Sequence, residues 1–185
     1  KIRLPDIEYK GLNFLPEADL ACIYDDYKNF WPQTGNLPNW DAVGRARING
    51  ADFWVLVEIK AHLNEIKSDC QATSDESKKC INSAFELTKR WLQVSSSGDW
   101  LKDYYQAENR LAMLYFFNSV CGIPAIILNI YFCGDKNPKA QCPQDSSGWK
   151  QAIDSQDAHL GLTKEMQEKA GCYSLYWHVE KGAIK

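Results

Sequence analysis

The sequence predicts an α/β protein in which a mixed central β-sheet is flanked by α-helices. Asn49-Gly50 lies between two runs that suit strands, and this dipeptide is the strongest short signal for a β-hairpin. An Ile-rich apolar run is typical of a buried inner strand. Apolar residues also recur at helical spacing in three stretches. The inner strand is predicted at 123–134, and the helices at 16–31, 76–93 and 100–120.

Length and composition indicate one soluble globular domain that spans 1–185. A chain of 185 residues with 45% hydrophobic and 24% charged residues can bury a single core. The formal net charge of −3 gives no overall basic field. This argues against a nonspecific nucleic-acid coat, but not against an enzyme with a local basic cleft.

The remaining segments complete the predicted order of elements. Residues 1–14 are expected to form an extended arm, and Pro16 favours the start of the first helix. Pro, Gly and polar residues predict loops at 31–39 and 69–78. After the inner strand we expect a loop, then one or two short helices within 147–170 and a closing strand at 172–180.

Cysteine usage predicts a reduced, cytoplasmic protein. There are seven cysteines, an odd number, with no C-x-x-C motif. The pairs Cys70/Cys80 and Cys133/Cys142 could hold zinc, but their spacing is not typical of zinc sites.

No apolar run approaches the length that crosses a bilayer, so we expect no membrane association.

The hairpin signal also predicts a register. If Asn49-Gly50 is a two-residue turn, the numbers of paired residues sum to 99. Arg47 then pairs with Asp52, and Arg45 with Trp54, which are favourable cross-strand partners on one face. The opposite face is apolar and is expected to be core. It comprises Ala42, Ala46, Ile48, Ala51, Phe53 and Val57.

Continued by one residue, this register places Asp41 directly opposite Glu58. Two carboxylates this close should share a proton or bind a cation. Lys60 lies on the same strand face as Glu58. A non-functional alternative is that Glu58 and Lys60 form only a solvated ion pair at a strand edge. A β-bulge at Gly44 would also shift the register and separate the two carboxylates.

An Asp on one strand followed by Glu-x-Lys on the next resembles the PD-(D/E)xK nuclease superfamily, which has the restriction-endonuclease-like fold. Here the pattern is Asp41, sixteen intervening residues and Glu58-Ile59-Lys60. The family's core of a helix, three strands, a helix and a strand would occupy about 16–134. The helix at 76–93 would be a decoration, and 135–185 a C-terminal extension outside the resemblance.

The resemblance implies a divalent-metal-dependent nuclease that hydrolyses phosphodiester bonds of nucleic acid, with DNA the expected partner. It assigns Asp41, Glu58 and the Ile59 carbonyl as ligands of Mg²⁺ or Mn²⁺. It also assigns Lys60 as the catalytic lysine. An acidic residue on the first helix often assists in the family, and Glu17 is the candidate here.

Some members carry Gln-x-x-x-Tyr on the helix after Glu-x-Lys. Here Gln106 is present, but Arg110 stands where the tyrosine would be. Arg110 could contact a phosphate, with Asn109 as a further substrate contact, and His62 could extend the site. The alternatives are that Gln106, Asn109 and Arg110 form a solvated helix face and that His62 is structural. Three functions stay open: the nuclease, a catalytically silent fold that binds nucleic acid or protein, and a structural domain with a chance motif. A homodimer is also left open.

Overall fold

The computed structural model describes residues 9–35, 37–135 and 141–179. Its helices are α1 (Glu17–Phe30), α2 (Asp75–Leu92), α3 (Tyr105–Tyr115), α4 (Ser146–Leu160) and α5 (Lys164–Ala170). Its strands are β1 (Tyr9–Lys10), β2 (Asn39–Trp40), β3 (Ala42–Ile48), β4 (Ala51–Lys60), β5 (Ala125–Cys133) and β6 (Cys172–His178). The predicted helices at 16–31 and 76–93 and the predicted strands are confirmed within a few residues.

A mixed four-stranded sheet with the order β3-β4-β5-β6 forms the centre of the fold. β3 and β4 are antiparallel, whereas β5 runs parallel to both β4 and β6. This confirms the predicted α/β class and the inner position of β5. β2 pairs with β1 in a separate two-stranded ribbon, so only two strands of the main sheet precede α2.

The β3–β4 hairpin has the predicted register from Ala42–Val57 to Ile48–Ala51. Asn49 and Gly50 have φ values of 50° and 84°, as a turn with two left-handed residues requires. Arg47 donates two 2.8 Å hydrogen bonds to Asp52. No bulge interrupts the ladder at Gly44, so the alternation of faces predicted from the sequence holds through β4.

The helices pack on the face of the sheet that carries Leu56 and Glu58. Trp149 of α4 contacts Tyr131 on this face, with ring centroids 5.0 Å apart. The expectation that the opposite hairpin face is core is therefore wrong. Ile48 and Ala51 are exposed and Phe53 is only half-buried. The described apolar residues of this face are half-buried or exposed, and on β6 the exposed ones are Tyr173, Leu175 and Trp177.

The region from 100 to 120 differs from the single long helix predicted from the sequence. Residues 100–103 form a turn and a bend, where Asp103 has a φ of 65°, and α3 begins only at Tyr105. A π-helical segment, Phe116–Val120, continues α3. Its Phe116 and Phe117 are fully buried and contact each other in the main core. The delayed start of α3 lets the preceding segment pair through Ser68 and Tyr104 with the chain that follows β4.

The C-terminal part is integral to the domain. β6 completes the sheet beside β5, and α4 and α5 pack against the same assembly. Leu160, Leu162 and Ala170 join the main hydrophobic core. All seven cysteines are free thiols. Among the described residues, no helix combines the length and apolar character that crossing a membrane requires.

The hairpin turn provides a test of the register. We expect Gly50→Ala to lower the free energy of unfolding by about 1 kcal/mol, because a side chain at positive φ is strained. Gly44→Ala is the matched control, since a Cβ added there would meet no atom within 4 Å and its φ is not left-handed. Urea denaturation measures both. Equal effects of the two substitutions would contradict the assigned turn.

Candidate active site

Glu58 is a buried carboxylate near the C-terminal end of β4. Its residue exposure is 5%, and its neighbour in the sheet is Asn129 of β5. Lys60 Nζ lies 2.6 Å from Glu58 Oε1, and Arg110 Nη2 lies 2.8 Å from Glu58 Oε2. A buried carboxylate is costly without partners, and here each oxygen has a cation. The alternative that Glu58 and Lys60 form only a solvated ion pair at a strand edge is therefore wrong, because Glu58 is buried.

Arg110 projects from α3 into the interior. Its exposure is 4%, and its Nε donates a 2.9 Å hydrogen bond to Glu58 Oε2. The guanidinium lies over the Trp40 ring at 4.9 Å and donates through Nη1 to Asn109 Oδ1 at 2.6 Å. The alternative that Asn109 and Arg110 form a solvated helix face is wrong, because both residues are buried where α3 packs against the sheet.

Lys60 is fixed by two side chains from different elements. Besides Glu58, its Nζ donates to Gln106 Oε1 at 2.5 Å. Gln106 lies in the first turn of α3, where its backbone N–H donates to Ser68 Oγ at 2.8 Å. The structure thus brings together Glu58, Lys60 and Gln106, which the sequence predicted as parts of one site.

Asp41 lies at the rim of this cluster rather than in the ladder. The ladder ends at Ala42–Val57, so the predicted direct pairing of Asp41 with Glu58 is not formed. The chain bends toward β2, and Asp41 Oδ2 accepts a 2.6 Å hydrogen bond from the Ile59 N–H. Partial burial raises the pKa of Asp41; the Ile59 hydrogen bond opposes this, and the Glu58 charge adds to it.

Two predicted site residues lie apart from this cluster. Glu17 is the first residue of α1 and is exposed, and none of the contacts found among the described residues joins it to Glu58 or Lys60. His62 follows β4 and lies beside Asp135 and Cys142, where one ligand atom of each residue is within 4.8 Å of the others. The sequence pattern did not indicate this second grouping.

A small cavity of about 50 Å³ adjoins Glu58, Lys60 and Gln106. Its wall also includes polar residues that the sequence pattern did not single out, among them Asn129, Asp157 and Gln167. Asn129 could have been noticed, because it is the one polar residue in the apolar run AIILNIYF. Asp157 and Gln167 come from α4 and α5, so the C-terminal extension helps to build the site. Burial raises the pKa of Asp157, and its hydrogen bond with Gln167 opposes that shift.

An open cleft of about 670 Å³ lies on the other side of Gln106 and Arg110. Asn109, Ser68 and Asp69 also line it. Arg110 is its one cationic lining residue within the described ranges. Gln106 and Arg110 line both the cleft and the small cavity, so they form the wall between solvent and the Glu58 carboxylate.

The donor set suits a hard divalent cation. Mg²⁺ is commonly bound through one or two carboxylates, which Asp41 and Glu58 offer. A carboxylate has about four lone-pair directions, so the hydrogen bonds to Ile59, Lys60 and Arg110 leave both groups with acceptor capacity. Lys60 and Arg110 nevertheless compete with a cation for Glu58, because the paired cluster is already close to neutral.

Comparison with protein-family models, with curated proteins and with solved structures found no match.

Glu108 of α3 is a second buried carboxylate. It is fully buried, and neither carboxylate oxygen has a hydrogen-bond partner in the described part of the chain. His159 Nε2 lies 3.5 Å from Glu108 Oε1. Burial raises the pKa of Glu108 to about 10, and the charge of Asp99 adds to the shift.

The raised pKa of Glu108 predicts a pH effect on stability. The folded state binds the proton more tightly than the unfolded state, so stability falls as pH rises between the ordinary value of 4.5 and about 10. Glu108→Gln should remove up to about 1.4 kcal/mol per pH unit of this slope. Urea denaturation at several pH values measures it. The exposed control Glu86→Gln should keep the slope, and an unchanged slope in Glu108→Gln would contradict the assignment.

Proposed function

We propose that this chain is a divalent-metal-dependent nuclease with a restriction-endonuclease-like core, which hydrolyses phosphodiester bonds of nucleic acid, DNA in the first place. The observation that carries the proposal is the meeting of four side chains at one end of β4. Glu58 and Lys60 lie on β4, whereas Asp41 precedes β3 and Gln106 lies on α3. If the Glu-x-Lys pattern had arisen by chance, there would be no reason for Asp41 to contact the Ile59 N–H or for Gln106 to accept a hydrogen bond from Lys60.

The proposed roles follow from the contacts. Asp41 and Glu58, with the Ile59 carbonyl, would hold Mg²⁺ or Mn²⁺. When bound, such a cation neutralises phosphate charge and makes a bound water more acidic. Lys60 is held by Glu58 and Gln106, so its ammonium can orient a water or stabilise charge that develops on the phosphate.

Substrate would approach through the open cleft. Arg110 and Asn109 line it beside Gln106, and a guanidinium can form two parallel hydrogen bonds with a phosphate. Arg110 is buried, so it would exchange part of its contact with Glu58 for the phosphate. Occupation of Glu58 by a metal ion would favour that exchange, because it gives the carboxylate a new positive partner.

The order of elements supports the proposed core. α1, the β3–β4 hairpin, α3 and β5 supply the helix, strands, helix and strand of the family's pattern, with Glu58-Ile59-Lys60 on β4. α2 is then an additional helix, as expected from the sequence. The short β2 would correspond to a reduced strand of the core, and α4, α5 and β6 extend it.

Arg110 favours one alternative, a catalytically silent fold that binds nucleic acid or protein. Its guanidinium makes two contacts with Glu58 Oε2, at 2.9 Å from Nε and 2.8 Å from Nη2. A fixed cation at that position can replace a metal ion as the structural partner of the carboxylate. In that case Glu58 would hold α3 against the sheet, and the cleft would bind its target without metal.

The test is cleavage of plasmid and single-stranded DNA with Mg²⁺ or Mn²⁺, compared with EDTA. We expect metal-dependent cleavage by the natural chain and a loss of at least roughly a hundredfold in Glu58→Gln and Lys60→Ala. The first substitution removes a proposed metal ligand, and the second removes the cation that would stabilise charge on the phosphate. Asp52→Asn is the matched control, since it removes an exposed carboxylate from the same strand.

Equal cleavage by Glu58→Gln and the natural chain would contradict the assigned site. Absence of cleavage combined with DNA binding in EDTA would support the silent alternative. Circular dichroism of each variant establishes that it is folded before its activity is compared.

A further inference from the structure

His62, Asp135 and Cys142 meet beyond the C-terminal ends of β4 and β5. His62 lies two residues after β4 ends, Asp135 lies two residues after β5, and Cys142 precedes α4. Backbone hydrogen bonds hold these segments together. The Leu63 N–H donates to the Gln141 carbonyl at 3.1 Å, and the Gly134 N–H donates to the Pro143 carbonyl at 2.8 Å. These backbone hydrogen bonds therefore hold a residue next to each of the three side chains in place.

Their donor atoms are close enough for a shared ion. One ring nitrogen, one carboxylate oxygen and the thiol sulfur lie within 4.8 Å of one another. The ligand atoms of tetrahedral zinc are separated by about 3.5 Å, as bond lengths of roughly 2.0–2.3 Å require. Side-chain movements of about 1 Å would close the set around zinc.

The burial of these residues also favours metal binding. All three residues are half-buried. His62 Nδ1 is inaccessible and makes no hydrogen bond within ordinary limits in the described residues, although the His62 side chain faces the Glu65 N–H in a capping-box arrangement. An unpartnered buried nitrogen costs free energy that coordination can recover, and neutral imidazole is the commonest metal ligand. The Cys142 thiol makes only weak contacts, 3.5 Å to the Pro143 carbonyl and 4.0 Å to the Phe132 carbonyl.

We propose that His62, Asp135 and Cys142 form a site for zinc or a similar borderline transition metal, with a fourth position for water or an external ligand. A nitrogen, an oxygen and a sulfur donor suit such a metal, whereas Mg²⁺ prefers oxygen ligands alone. The site thus differs chemically from Asp41 and Glu58 and does not depend on the proposed nuclease function. It also gives His62 a role other than the substrate contact predicted from the sequence.

Metal binding at this site would also stabilise the folded state. It joins the segments that follow β4 and β5 to the segment that precedes α4, so metal that binds only the folded state raises the free energy of unfolding. Binding also releases the Cys142 proton, because the thiolate is the ligand. Metal affinity should therefore rise with pH.

Co²⁺ titration of the full chain in reducing buffer tests the proposal directly. We expect one Co²⁺ per chain, a sulfur-to-cobalt charge-transfer band in the near ultraviolet, and displacement of Co²⁺ by Zn²⁺. Cys142→Ser should abolish the band. His62→Gln and Asp135→Asn should weaken binding at least about tenfold, since even outer partners of a ligand cause losses of that size.

Cys22→Ser is the control, because Cys22 is exposed on α1 and belongs to no such cluster in the described chain. It should keep the band and the stoichiometry. Absence of the band in the natural chain, or its survival in Cys142→Ser, would overturn the proposal. DNA cleavage by Cys142→Ser with Mg²⁺ keeps this outcome distinct from failure of the nuclease proposal.

Discussion

The burial of the Glu58 carboxylate is the constraint on which the site and much of the packing depend. An unpaired buried charge would destabilise the fold by several kcal/mol, so Glu58 requires cationic partners. Lys60 satisfies one oxygen from the same strand, and Arg110 satisfies the other from α3. Arg110 in turn packs over Trp40, so this one carboxylate links β4, α3 and the β1–β2 ribbon.

The pairing of Glu58 with Lys60 and Arg110 also decides whether a divalent cation can bind this carboxylate. The cluster of two carboxylates and two cations is nearly neutral as it stands, which stabilises the fold without a further ion. A divalent cation would compete with Lys60 and Arg110 for Glu58 while it gains Asp41 at the rim. The proposed nuclease function requires that the metal displace part of the Arg110 contact with Glu58, whereas a silent or purely structural fold would keep that contact intact. Asp41 is decisive here, because it lies at the exposed rim and contributes little to packing.

Local patterns predicted the parts of the structure that neighbouring residues determine. Asn49-Gly50 determined the hairpin register, and alternation placed Glu58 and Lys60 on one face. The sequence could not show which face the helices would cover, because both faces of the hairpin carry apolar residues. It also could not show that Arg110 turns inward, since that depends on where α3 packs. Asp157 and the His62 cluster required long-range contacts that spacing does not encode.

The most direct measurement is Mn²⁺ binding by calorimetry, with Cys142→Ser as the background so that a metal at the His62 cluster does not contribute. We expect binding in Cys142→Ser alone and loss of the heat signal when Asp41→Asn is added, because Asp41 then no longer offers an anionic ligand. Asp52→Asn in the same background should bind Mn²⁺ normally. Equal binding with and without Asp41→Asn, or no binding in the background, would contradict a metal centre at Asp41 and Glu58.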